Sequence, residues 1–173
     1  MNIQAAPAAI RVLVVLFALS FPVLAPAQSE RRGQSYVFGT IGSFDENDGF
    51  NVGGGAGFEK LFYKGLGAGA ELEGFWGPGD DGYGGLVFSA NPSYHFGTPG
   101  SKLVPFGTGG FSAVGLCGGG WFLCGAAAGF NFGGGIHYWT SPKRGMRMEF
   151  RDHVFNPGSG ALHKLEMRIG LAF

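Results

Sequence analysis

From His163 to Phe173 the chain alternates without a break, and this pattern constrains the fold more than any other feature. Positions 163, 165, 167, 169, 171 and 173 are His, Leu, Met, Ile, Leu and Phe; the positions between them are Lys164, Glu166, Arg168, Gly170 and Ala172. Period two over eleven residues is a strand signature, and eleven residues is about the length of a membrane-crossing β-strand. Other segments repeat it. Met146, Met148 and Phe150 alternate with Gly145, Arg147, Glu149 and Arg151, and Leu66, Ala68, Ala70 and Leu72 with Gly67, Gly69, Glu71 and Glu73. Ala126, Ala128, Phe130, Phe132, Ile136 and Tyr138 alternate with Gly125, Ala127, Gly129, Asn131, Gly133, Gly135 and His137. One face is apolar, the other small or charged. In a soluble sandwich the polar face meets water; in a membrane barrel it fills the lumen while the apolar face meets lipid.

Composition removes the rivals. The 35 glycines exclude long helices, since each interior Gly costs about 1 kcal/mol against Ala, and they lack the three-residue period of collagen. Aromatic residues at 15% are too many for an ordinary disordered linker. Twelve basic and twelve acidic residues balance to zero, which gives no reason to expect nucleic acid as a partner.

The start of the chain is a targeting segment rather than fold. Val12 to Ala27 is nearly all apolar, follows Arg11 and ends in Ala25-Pro26-Ala27. That reads as a signal peptide over 1–27, cleaved after Ala27; the run is short of the roughly 20 residues of a membrane anchor. Residues 28–34 are a short lead, and 35–173 the folded domain of an exported protein. No later stretch supplies a helical span, and only helices and closed barrels satisfy the backbone in lipid.

Seven clusters of Gly, Pro, Asn and Asp separate eight segments. Strands are expected near 35–44, 50–62, 65–76, 84–96, 102–115, 122–139, 145–154 and 162–173. The fold class is therefore all-β, an eight-stranded antiparallel up-and-down transmembrane barrel with both termini at one end.

The chain from 33 to 173 resembles the small eight-stranded outer membrane β-barrels of Gram-negative bacteria, the OmpA-like group. The residues that carry the likeness are the terminal strand ending in Phe173, Asn131-Phe132-Gly133-Gly134-Gly135-Ile136-His137-Tyr138, Gly145 to Asp152, and Leu103 to Gly110. The resemblance implies residence in the outer membrane as a monomer, with membrane lipid around it and the termini in the periplasm. It implies that Phe173 and its strand are the signal read by the barrel-assembly machinery. Larger members continue into a peptidoglycan-binding domain, which is not expected here after Phe173.

Eight strands leave an interior just wide enough for side chains. Glu71, Glu73, Glu149 and Glu166 are assigned inward against Arg147, Arg151, Lys164 and Arg168, four facing four, as a structural charge network across three strands. Inward glycines at 67, 69, 129, 133 and 135 are expected to leave room for those side chains. Cys117 and Cys124 are symmetric about a turn, and in an exported protein a disulfide is the default; two free thiols or a metal pair are the weaker alternatives. No catalytic constellation, metal motif or cofactor site is specific. His95, His137, His153 and His163 show no metal-ligand spacing, His163 should face lipid or the interface, and Asp152-His153 is the one pair kept in view. Asp45, Glu46, Asp48, Asp80 and Asp81 form two acidic loops that plain turn chemistry explains. Tyr36, Phe44, Trp76, Tyr83, Tyr94, Trp121, Tyr138 and Trp139 are expected in the interfacial aromatic girdles.

The leading expectation is a non-enzymatic barrel with a structural or surface-interaction role in the cell envelope. The alternatives are a narrow porin-like or hydrophobic-solute transport barrel, and then a lipid-modifying barrel enzyme.

Overall fold

The computed structural model describes residues 33–44, 47–77, 83–97, 100–118, 123–156, 158 and 160–173. The expected signal peptide, residues 28–32 of the lead, Asp45, Glu46, Asp80, Asp81 and Trp121 lie outside the described residues, as does the side chain of Asp48.

Eight strands follow in chain order: β1 (Gly33–Phe44), β2 (Asn47–Tyr63), β3 (Leu66–Gly77), β4 (Tyr83–His95), β5 (Leu103–Gly118), β6 (Leu123–Ser141), β7 (Arg144–Asn156) and β8 (Leu162–Ala172). Each pairs antiparallel with the next, and β1 pairs with β8 from Tyr36↔Ala172 to Phe44↔Lys164, which closes the barrel. Closure removes the unpaired edges an open sheet would leave. The ends differ from expectation by at most three residues, because pairing continues into segments that read as turns, as in Phe44↔Asn47 and Gly118↔Leu123.

The wall is inverted relative to a soluble protein. Among the described residues 27 large hydrophobic side chains are exposed, among them Ile41, Phe58, Leu72, Phe130, Phe150, Ile169 and Leu171. A soluble monomer rarely shows apolar patches beyond a few hundred Å², so the exterior is a lipid-facing surface. No described helix is long and apolar enough to cross a membrane; the strands do the crossing.

At the termini end, β2 and β3 join through Lys64 (φ 43°) and Gly65 (φ 87°). Two consecutive positive φ values match a type I′ hairpin turn, whose twist fits the strands. Inward glycines serve a use other than the expected one. A Cβ on Gly129 or Gly135 would strike the backbone carbonyl of Val154 or Met148, and one on Gly133 would lie 2.5 Å from the Phe150 carbonyl. Their space is taken by the neighbouring strand's backbone, so they permit tight coiling; at Gly67 side chains do fill the gap, those of Leu61, Ser93 and Glu59, as the Tyr36 ring and Glu71 do at Gly57.

The girdle assignment also needs correction. Tyr36, Phe44 and Trp139 are buried and point into the lumen, while Trp76 and Tyr138 face outward and Tyr83 and Tyr94 are half-buried. Strand alternation overrides position along the strand: Tyr36 shares its face with Phe38 and Thr40.

Candidate functional site: the lumen

The alternation that makes the wall apolar sends every second side chain inward, and the eight expected charges meet there. Near mid-lumen Glu71 of β3 is the hub. It receives Tyr36 Oη at 2.5 Å, Arg168 Nη1 at 2.8 Å and the Arg151 guanidinium. Arg151 also pairs with Glu149, which accepts from Arg147 Nε at 3.0 Å. Toward the far end Lys164 Nζ donates to Glu73 Oε1 at 2.7 Å and to Glu166, and Arg168 Nη2 reaches Glu73 Oε2 at 2.8 Å. All eight are buried, with Arg151 and Lys164 at 0% exposure. Breaking one such buried pair costs about 3–5 kcal/mol, because the remaining charge is uncompensated.

The network is wider than three strands. Glu59 of β2, His95 of β4, His137 of β6 and His153 of β7 belong to it, with Gln34, Ser89, Asn91, Ser93, Ser112 and Asn131 as neutral partners. Glu59 was legible in principle: counting from the outward Phe58 puts it inward, but the Gly53-to-Gly57 run before it carries too few side chains to display the alternation.

Beyond the charges the far end of the lumen turns apolar. Phe44, Phe75, Val87, Val114 and Phe155 form a buried cluster, with Tyr83, Leu116, Ala127 and Leu162 packed against it. Phe44 and Phe75 ring centroids lie 5.6 Å apart, and Phe155 is fully buried. A smaller cluster of Tyr36, Phe38, Trp139 and Ala172 lies at the termini end.

Two histidine arrangements resemble parts of a hydrolase. Ser112 Oγ lies 3.0 Å from His153 Nδ1, and His153 Nε2 lies 3.2 Å from Glu166 Oε1. This has the order of a Ser–His–carboxylate triad, but its members are at most 1% exposed and Arg168 Nη2 sits 3.3 Å from the imidazole. The pair kept in view changes partner: Asp152 faces outward, away from His153, and accepts from His163 Nδ1 at 2.9 Å. Phe132 and Leu165 flank Asp152 on that face, so His163 stands on the outer wall, as expected. Among the described residues no hydroxyl hydrogen-bonds His163 Nε2.

Cys117 and Cys124 occupy opposed positions of β5 and β6 with Cα atoms 4.1 Å apart and are joined as a disulfide. Phe173 follows β8 and exchanges two backbone hydrogen bonds with Ser35, each 2.9 Å, with its ring exposed on the wall.

No family model matches the sequence, and no curated protein matches it. Comparison with solved structures gives clear matches. Neisserial surface protein A superposes with a TM-score of 0.65 at 11% identity, over 81% of this chain and 94% of that one. The fold is that of the small outer membrane β-barrels. The outer membrane enzyme PagL gives 0.62 at 16% identity, over 78% and 97% of the two chains. OprG of Pseudomonas aeruginosa gives 0.59 at 12% identity, over 84% and 97%. A surface protein and an enzyme share this architecture, so the barrel alone does not decide the activity.

Proposed function

We propose that the protein is a non-enzymatic, monomeric barrel of the outer membrane, with a structural or surface-interaction role in the cell envelope. The observation that carries this reading is the closed lumen: a paired charge network runs through it, and the Phe44–Phe75–Val87–Val114–Phe155 cluster caps the end away from the termini. Eight strands leave little free bore, and here the bore is filled by ion pairs and then by aromatic rings. The termini would face the periplasm, and the assembly machinery would read Phe173 and its strand. Against an enzyme stands the burial of the Ser112–His153–Glu166 chain; against a pore stands the cap. Planar-bilayer recording of the purified barrel tests the reading. No steady conductance is expected, and a large, persistent one would refute the closed lumen.

A further inference from the structure

The lumenal charges do not balance. Among the described residues Glu59, Glu71, Glu73, Glu149 and Glu166 face inward against Arg147, Arg151, Lys164 and Arg168. With neutral histidines one negative charge is left over. The fifth carboxylate is Glu59, whose nearest guanidinium is Arg147 with Nη1 at 3.7 Å, while Arg147 Nη2 is engaged at 2.9 Å by Glu149. Two imidazoles converge on that carboxylate. His95 Nε2 is 2.9 Å from Glu59 Oε1, and the His137 ring stacks on His95 with centroids 5.3 Å apart. His137 Nε2 lies 3.5 Å from both Gln34 Nε2 and Arg147 Nη1, and within 4.8 Å of the ligand atoms of Glu59 and His95.

We propose that Glu59, His95 and His137 bind one transition-metal dication of the zinc class, at the mouth of the lumen nearest the termini. Two imidazoles and a carboxylate are a donor set that suits zinc and its neighbours rather than magnesium or calcium, and three protein ligands leave a fourth position open. The three ligand atoms lie within 4.8 Å of one another. Zinc bonds of about 2.0–2.2 Å ask for ligand separations of roughly 3.3–3.6 Å, so rotation of the side chains by about an ångström closes the set. The ligands are held from behind, as metal ligands usually are. Ser93 Oγ and Gln34 Nε2 donate to Glu59, Trp139 stacks on His137 at 5.5 Å, Phe106 stacks on His95 at 5.6 Å, and the His95 backbone N–H donates to Gly65 O.

Entry distinguishes this group from the other lumenal cluster. Gln34 at 8%, His95 at 5% and Glu59 at 4% retain some exposure at the mouth, with His137 fully buried behind them. Glu73, His153 and Glu166 also lie within ligating distance of one another, but Lys164 and Arg168 occupy both carboxylates, so a metal there would have to displace two cations, against the single Arg147 guanidinium that borders Glu59 and His137.

The test uses the untagged chain from Gln28 onward, folded in detergent micelles. Zinc is titrated by calorimetry, and cobalt(II) by its visible absorption. One ion per barrel is expected. His95→Gln, His137→Gln and Glu59→Gln should each weaken zinc binding by about 10–100-fold or more, whereas His163→Gln on the outer wall should leave it unchanged. Should a lumenal variant fail to fold, imidazole nitrogen resonances of the unsubstituted barrel decide. Zinc should shift those of His95 and His137 and spare those of His153 and His163. The proposal is overturned by an absence of binding, by binding that survives the three substitutions, or by a response confined to His163. A group that takes up protons with pH yet ignores both metals overturns it equally.

Discussion

Arg151 shows how a single residue reports on the lumen. It is fully buried, and its guanidinium spans Glu71 of β3 and Glu149 of its own strand. Replacing it with Met keeps much of the volume and removes the charge, leaving two carboxylates short of a partner. Arg151→Met should therefore destabilise the barrel by about 3–5 kcal/mol, read by urea unfolding in micelles through tryptophan fluorescence. Combining it with Glu71→Gln should cost less than the sum of the two single changes, since both act on one pair. A barrel as stable as the original would mean that water or ions replace the lost partner, and the filled lumen would not stand.

Strand length matters at the scale of elements. β6, with 19 residues, is the longest strand, and its hairpin with the 16-residue β5 outruns β7 on one side. β7 pairs with β6 only from Ala128 onward, so the stretch of β6 before it is paired with β5 alone, and Cys117–Cys124 ties that overhang. The closed loop is short, so the bridge should contribute about 2–3 kcal/mol at most, and locally. Reduction should speed amide exchange at 124–127 while leaving β1 to β3 unchanged. Alkylation of the folded protein should find no thiol before reductant is added; two reactive thiols would remove the bridge.

For the whole molecule, closure sets the behaviour. All eight strands pair with two neighbours, and the exterior is apolar. Such a barrel should be recovered with membranes and require detergent to extract. Because the ladder of hydrogen bonds has no edge to fray, it should also survive detergent without heating. Unboiled and boiled samples should run at different mobilities on a gel, and one mobility in both, with recovery from the soluble fraction, would contradict a membrane barrel. Lumen and wall are the same pattern seen from two sides, so a polar substitution at Phe150 or Ile169 disturbs insertion while one at Glu149 or Arg168 disturbs the filling.

The alternation from His163 to Phe173, and its echoes around Met146, Leu66 and Phe130, determined the class of structure and which charges turn inward, and the seven turn clusters determined the strand count. Side-chain direction in a strand is a local property with period two, so it is written along the chain. Three things were decided only by the closed barrel. Tyr36, Phe44 and Trp139 sit in the lumen because their strand parity, not their place near a strand end, sets their direction. Glu59, His95 and His137 meet because β2, β4 and β6, far apart in sequence, curve around one bore. Asp152 turns from His153, its neighbour in sequence, to His163 across β7 and β8. Which inward residues touch across a barrel depends on register, stagger and curvature, and these are properties of all eight strands together.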